Sequence, residues 1–66
     1  MHFNLYKDEG DKFRWNFCVV GEKTIAVSAI SYDDRMEAIA SIGLLKGMVV
    51  AAKVFDKTEN RWLGED

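Results

Sequence analysis

The side chains that could carry out chemistry are few and scattered in this 66-residue chain. Cys18 is the single cysteine and His2 the single histidine, and no local Cys-His signature accompanies either. The acidic turn Asp8–Asp11 and the pair Asp33–Asp34 do not follow the spacing of a calcium-binding loop. We therefore expect no catalytic residues, no metal site and no cofactor, and we expect that the protein is not an enzyme.

Basic and aromatic residues alternate in one segment, a pattern that can bind single-stranded nucleic acid. Phe13, Trp15 and Phe17 could stack on bases. All three share one face of a strand, however, and buried aromatic residues at a spacing of two need no ligand to explain them. The net charge of −2 also argues against binding mainly through phosphates. A nucleic-acid-binding accessory protein is therefore the second-ranked function, and its basic strand surface would consist of Lys7, Lys12, Arg14 and Lys23.

Alternation of apolar and polar residues predicts three antiparallel strands, over residues 2–7, 12–20 and 24–30. Every second residue from Phe13 to Val19 is large and apolar, so one face of the sheet, the inner face, should be buried. The same period places Ile25, Val27 and Ala29 on the inner face. The opposite, outer face is expected to be polar and is an ordinary solvated face unless a partner binds it. Its expected residues are Asn4, Tyr6, Arg14, Asn16, Thr24, Ala26 and Ser28.

A helix should follow the third strand. Ser31–Asp34 predicts its start, because the Ser31 side chain can accept hydrogen bonds from first-turn amides and the carboxylates complement the helix dipole. The helix should run to about Gly47. An apolar stripe at helical spacing should cover the inner face of the sheet. The residues of this stripe are Ala38, Ile42, Leu45 and Val49.

The remaining sequence predicts a fourth strand over Ala52–Asp56 and a mostly polar tail over Lys57–Asp66 that contains Trp62 and Leu63. The expected fold class is therefore α+β, a β-β-β-α-β unit in which an antiparallel sheet packs on one helix. A 66-residue domain buries only about 60% of the surface that its unfolded chain exposes. With a single cysteine and no metal cluster, oligomerisation is the remaining common way to stabilise it.

Several features favour a cytoplasmic protein. The N-terminal segment has no basic region followed by a long apolar one, and an unpaired cysteine suits a reducing compartment. The most apolar stretch, residues 38–52, is shorter than the about 20 residues that span a bilayer. We expect a cytoplasmic location and no membrane partner.

A set of residues spread over residues 3–56 forms a pattern whose members are individually weak and jointly fairly specific. The set consists of Phe3, Tyr6, Lys7, Phe13, Arg14, Trp15, Gly21, Glu22, Ser28, Tyr32, Ala38, Ile42, Leu45, Lys46, Val54 and Asp56. This pattern resembles the YegP-like family of small bacterial proteins, whose function is uncharacterised. Val20-Gly21 stands where the family usually has Asn-Gly, and Ser41 stands where it has a glycine.

The resemblance implies a domain over residues 1–56 and a tail over residues 57–66. In this family two units, in one chain or in two subunits, assemble by exchanging their C-terminal strands. This chain has one unit, so the resemblance implies an intertwined homodimer in which Ala52–Asp56 of one subunit pairs with the sheet of the other. It carries over no catalytic residue, because none is established for the family.

The function ranked first is a homodimeric protein-interaction or structural module without catalytic activity. Besides the outer face of the sheet, the helix carries apolar residues outside the core stripe, where members of the family tend to have polar ones. Exposed apolar clusters usually mark contact surfaces. Either the tail, through Trp62 and Leu63, or another protein should cover the helix. The candidate partner surface therefore comprises Tyr6, Arg14, Asn16, Met36, Ile39, Leu44 and Met48.

Overall fold

The computed structural model describes residues 1–64, and its fold class is α+β, as expected. The first three strands form one antiparallel sheet, in the order β1-β2-β3. Their bounds are β1 (His2–Lys7), β2 (Phe13–Val19) and β3 (Lys23–Val27). One helix follows, α1 (Arg35–Met48), and a short 3-10 helix, Val49–Ala51, continues it. No described helix has the length and apolar character that crossing a membrane requires.

Short polar turns set the pairing of the sheet. In the β1–β2 turn, Oδ1 of Asp8 accepts hydrogen bonds from the backbone N–H groups of Gly10, at 2.9 Å, and Lys12, at 3.1 Å. This arrangement is typical of aspartate in turns. The β2–β3 connection requires a positive φ of 83° at Gly21, which glycine adopts without a steric penalty.

The inner face of β1 and β2 is the predicted one. Leu5 pairs with Trp15, and Phe3 pairs with Phe17. The Phe3 ring lies 5.4 Å from the Trp15 ring and 4.7 Å from the Phe17 ring, measured between centroids. Contacts of this kind bury large apolar area, and in this row Trp15 is buried while Phe13 and Phe17 are half-buried.

Beyond Ile25, the side chains of the third strand lie on the opposite faces of the sheet from those predicted. Phe17 pairs with Ala26 whereas Cys18 pairs with Thr24, so Ile25 is an additional residue in a β-bulge. Ala26 therefore lies on the inner face, and Val27, which pairs with Asn16, lies on the outer face. A shift of one residue reverses the faces of the side chains beyond it. The assignments of Val27 to the inner face and of Ala26 to the outer face are therefore wrong, whereas Thr24, opposite Cys18, is on the outer face as predicted. Ile25 is the bulge residue, and Ala29 lies beyond the end of β3, so neither is part of the regular inner face.

The placement of Ser28 on the outer face is also wrong. Ser28 lies beside Trp15, is 1% exposed, and accepts a hydrogen bond from the Trp15 backbone N–H through its Oγ at 3.2 Å. Its own backbone N–H donates to the Trp15 carbonyl at 2.8 Å. Ala29 and Ile30 follow β3 and are exposed.

The helix is capped by a different residue from the one expected. Asp34 is the N-cap, and its Oδ1 accepts from the Met36 backbone N–H at 3.1 Å. Ser31 instead bonds to side chains of the sheet, so its predicted capping role is wrong. The helix ends at Met48, close to the predicted end at Gly47.

The core lies where the first half of α1 crosses the sheet. Trp15 and Ala38 are buried there. The Trp15 indole Nε1 donates to the Ser41 hydroxyl at 2.8 Å, and that hydroxyl donates to the Ala38 carbonyl at 2.7 Å. Further along the predicted stripe, Ile42 and Leu45 are half-buried and Val49 is 55% exposed. The stripe is therefore covered only towards its N-terminal end.

The C-terminal region contains a hairpin where the sequence pattern predicts a strand followed by a tail. Its strands are β4 (Val54–Asp56) and β5 (Arg61–Leu63), and they form a separate two-stranded sheet. The predicted strand is thus shorter, and a second strand occupies part of the predicted tail. Residues 65–66 of that tail lie outside the described residues.

Ala38 offers a direct test of this packing. Because Ala38 is completely buried at the crossing of helix and sheet, we expect Ala38→Leu to overpack the core and lower the free energy of unfolding by about 1–3 kcal/mol. Ala40→Leu, on the exposed side of the same helix, is the matched control and should change it by less than about 0.5 kcal/mol. Urea denaturation measures both values. Equal effects of the two substitutions would contradict the assigned core.

Candidate interaction site

A polar network at one end of the sheet immobilises Arg14, one of the predicted partner-surface residues. The guanidinium group donates to the Ser31 hydroxyl at 3.0 Å and to the Ser28 carbonyl at 2.9 Å. The Ser31 hydroxyl in turn donates to Oδ2 of Asp8 at 2.8 Å. Arg14 is half-buried. The network therefore joins the β1–β2 turn to the segment before α1, and Arg14 has a structural role.

The same network changes the acidity of Asp8. The hydrogen bond from Ser31, followed by those from the backbone of Lys12 and Gly10, favours the carboxylate and lowers the pKa of Asp8 below its ordinary value. A nearby ion pair likewise favours the charged form of a lysine. The hydrogen bond and the charge of Asp33 raise the pKa of Lys12.

The remaining outer-face residues surround the only thiol. Asn4 donates through Nδ2 to Oδ1 of Asn16 at 2.9 Å and to Sγ of Cys18 at 3.5 Å. The Cys18 sulfur also lies 3.4 Å from the Thr24 hydroxyl. The thiol is buried, and its hydrogen-bond partners are these polar groups and not His2, although His2 is its cross-strand neighbour in the β1–β2 pair. This geometry gives Cys18 a packing role.

Of the predicted outer-face residues, Tyr6 is partly exposed and pairs across the strands with Arg14. Asn16 is half-buried. Val27, which the bulge turns outward, and the bulge residue Ile25 are both more than half exposed. The outer face is therefore more apolar than the sequence pattern indicates.

In the basic strand surface that was considered for binding nucleic acid, several residues have acidic partners. Lys7 lies 3.3 Å from a carboxylate oxygen of Asp11, and Lys12 pairs with Asp33. With Arg14 held in the polar network, the strand surface has few basic groups available for phosphates. Among the described residues, no group of three or more His, Cys, Asp or Glu side chains could hold a metal ion.

The helix residues of the candidate partner surface are largely accessible. Met36, Leu44 and Met48 are each more than 60% exposed, whereas Ile39 is half-buried. They lie outside the core stripe, so α1 presents apolar side chains in more directions than the sheet can cover. This distribution is typical of a helix that has a further contact.

An open apolar cleft lies between the second half of α1 and the inner face of the sheet. Its volume is about 290 Å³. The helix packs against β1 and β2 but not against β3, so this part of the inner face has no cover. The sequence pattern did not predict the cleft, because it depends on how far across the sheet the helix lies. Its lining residues are Phe3, Trp15, Phe17, Ala26, Leu45, Lys46 and Val49.

The hairpin of β4 and β5 is the second unpartnered feature. Phe55 pairs with Trp62, and their rings meet edge to face at a centroid distance of 5.0 Å. Val54 pairs with Leu63, so these two share the other face of the hairpin. All four side chains are exposed. Within the described part of the chain, the two strands contact each other and no other strand or helix.

A polar turn holds the hairpin together. Oδ1 of Asp56 accepts from the Thr58 hydroxyl at 2.5 Å, the Thr58 backbone N–H at 2.8 Å and the Glu59 backbone N–H at 3.3 Å. These hydrogen bonds, that of the Thr58 hydroxyl first, lower the pKa of Asp56. Asn60 completes the turn with a positive φ of 58°, a conformation that asparagine tolerates better than most residues.

Comparison with known proteins identifies no relative: no family model matches the chain, and neither a curated protein nor a solved structure shows significant similarity. The fold and the site are therefore interpreted from their geometry.

The Asp8 network yields a pH-dependent prediction. A pKa that is lower in the folded state stabilises the fold above the unfolded pKa of about 3.9, and this contribution is lost as pH falls through the lower, folded-state pKa. We expect Asp8→Asn to lower the midpoint of thermal unfolding at pH 7, and we expect the difference from the wild-type protein to shrink in acid below pH 4.

Glu9→Gln, in the same turn, is the matched control and should leave the midpoint unchanged at both pH values. Circular dichroism melting curves provide the measurement. An Asp8→Asn protein as stable as the wild-type protein at pH 7 would show that the network does not hold the turn against the helix start.

Proposed function

We propose that this chain is a homodimeric protein-interaction module of the YegP-like type, without catalytic activity, that acts in the cytoplasm. The two subunits exchange their C-terminal hairpins. The observation that carries the proposal is the hairpin, which has four exposed apolar side chains and no contact with another strand or helix of the described residues. The order of the strands and of α1 up to β4 is the one that the sequence pattern predicts, and β5 adds to it the second strand of the hairpin.

An unsupported hairpin needs a partner for physical reasons. A two-stranded hairpin alone is marginally stable in water, and stability normally comes from a third strand or from packing on another element. Here the turn at Asp56 and the Phe55–Trp62 pair preform the hairpin. Preforming a segment lowers the entropy that is lost on binding. A second copy of the chain supplies the missing element.

The shape of the subunit also favours exchange. Its radius of gyration is 14.6 Å, whereas a compact chain of this length is expected near about 11 Å. Its extents are 45, 27 and 23 Å. A subunit that is long in one direction, with an apolar segment at its C-terminal end, has the form of subunits that swap an element.

The exposed helix residues provide the surface for a further protein. In a symmetric dimer each surface occurs twice, so Met36, Leu44 and Met48 form two equivalent apolar patches. Few charges interrupt this side of the helix, which favours a partner with an apolar contact surface. Phosphate-rich ligands fit less well, because the chain is acidic overall and Lys7 and Lys12 have acidic partners.

The oligomeric state tests the proposal. In size-exclusion chromatography with light scattering, we expect the full chain to have twice its 7.5 kDa mass. A chain ending at Val50, which lacks the hairpin, should be monomeric or unfolded. Lys57→Ala, an exposed change in the hairpin turn, is the control and should stay dimeric. A full chain that remains a folded monomer at every concentration would overturn the proposal.

A second experiment separates the helix patch from dimer formation. We expect Leu44→Gln combined with Met48→Gln to keep the mass of the wild-type protein and to bind a hydrophobic fluorescent dye more weakly, because two exposed apolar side chains are removed. Glu37→Gln, also exposed on α1, should leave dye binding unchanged. A double variant that loses its dimeric mass would show that these residues belong to the dimer contact instead.

A further inference from the structure

The cleft and the hairpin both expose apolar surface to water, and their shapes are complementary. The cleft walls are aromatic and aliphatic, and Trp15 and Phe17 form one side while Leu45 and Val49 form the other. Open clefts of this composition leave apolar surface in contact with water, which is unfavourable by about 25 cal/mol per Å². The hairpin also exposes apolar surface, but on a protruding part of the molecule: Phe55 is 39% and Trp62 is 51% exposed.

The two faces of the hairpin are not equivalent. Residues directly opposite each other in an antiparallel pair share a face, so Phe55 and Trp62 form an aromatic face and Val54 and Leu63 an aliphatic face. The two rings already touch, and together they form a compact wedge. The two protruding rings have a shape that can fill a cleft, whereas the smaller aliphatic pair protrudes less and fits a flat surface better.

The hairpin is too close in sequence to the cleft to enter the cleft of its own subunit. Val49 forms part of the cleft wall, and the 3-10 helix occupies Val49–Ala51. Only Ala52 and Lys53 separate this helix from β4, and Ala52 is extended, with φ −69° and ψ 137°. With this extended connection, the hairpin makes no contact, among the described residues, with the helix or the three-stranded sheet of its own subunit. A hairpin of a second subunit has no such restriction.

We propose that the aromatic face of the hairpin of one subunit, Phe55 with Trp62, fills the cleft of the other subunit. This inference rests on the homodimer proposed above and adds the site at which the exchanged hairpin binds. Each cleft is incomplete without two side chains of the partner. The floor of the filled cleft is Trp15 and Phe17, and its open edge is the uncovered strand β3 with Ala26.

The area involved is that of a weak dimer whose formation depends on protein concentration. A Phe or Trp side chain buries about 150–250 Å² when fully enclosed, and roughly half of each hairpin ring is already covered. The two docked hairpins and the walls they cover then account for about 800 Å², and specific interfaces begin near about 1,200 Å². The estimated area is below that size, so the dimer should dissociate on dilution.

Complementary variants test the site. Ala26→Trp fills the cleft but keeps the hairpin, whereas Phe55→Ala with Trp62→Ala removes the wedge but keeps the cleft. We expect each variant alone to raise the dimer dissociation constant at least tenfold. An equimolar mixture should form a heterodimer with one intact contact and a dissociation constant between those of the variants and the wild-type protein. Ala26→Ser is the matched control and should dimerise like the wild-type protein.

The outcomes distinguish the two proposals. If the wild-type protein is dimeric and Ala26→Trp dimerises equally well, the cleft is not the binding site of the hairpin, and the inference is overturned while the homodimer stands. A wild-type protein that is monomeric at all concentrations overturns both. Far-UV circular dichroism must show that Ala26→Trp is folded.

A measurement on the unmodified protein avoids the folding problem. In a mixture of ¹³C-labelled and unlabelled wild-type chains, isotope-filtered NMR detects only contacts between subunits. We expect nuclear Overhauser effects between the ring protons of Phe55 or Trp62 and the methyl groups of Leu45 and Val49. Their absence in a sample that is dimeric would overturn the inference. The same contacts within one chain would instead show that the hairpin folds back on its own subunit.

Discussion

One constraint governs this structure: a single 14-residue helix must cover a three-stranded sheet whose inner face is aromatic. The helix packs on β1 and β2 and leaves β3 without cover. Where it does cover the sheet, packing is tight, since Ala38 is completely buried beside the row that contains Trp15. Where it does not, the inner face opens into the cleft. The cleft thus forms because the helix is not large enough to cover all three strands of the sheet.

Polar contacts determine which half of the helix is close to the sheet. Asp8, Ser31 and Arg14 join the β1–β2 turn to the segment that leads into α1, and Ser41 accepts from the Trp15 indole N–H. All of these contacts act at the start or the middle of the helix. Towards the end of the helix, Leu45, Lys46 and Val49 line the cleft. Polar contacts therefore hold the N-terminal half of the helix against the sheet, and its C-terminal half borders the open cleft.

The sequence predicted where the helices and strands lie better than it predicted which side of each is buried. Periodicity gave β1, β2 and the core stripe of α1, because these elements are regular and the period of a regular element determines its buried side. It failed for β3, since the bulge at Ile25 adds one residue and counting by two assumes an unbroken ladder. Ser31 and Asp34 are both capable N-caps, and only the position of Asp8 and Arg14 in space decides between them. The hairpin strand β5 was missed because three residues are too few to show a period, although Asp56 and Asn60 are typical turn residues.

The balance of buried and exposed apolar residues shows how little of its large apolar surface this chain covers by itself. The buried apolar residues among those described are Trp15, Cys18 and Ala38. Many larger apolar residues, including Leu44, Phe55 and Trp62, remain exposed. Conformational entropy opposes folding by about 1–2 kcal/mol per residue for the backbone alone, and so small a core offsets only part of it. An apolar hairpin that is preformed but unburied contributes nothing to its own subunit, and its hydrophobic free energy is gained only when a second surface covers it. In the homodimer proposed above, folding and association would therefore be coupled, and stability would depend on protein concentration.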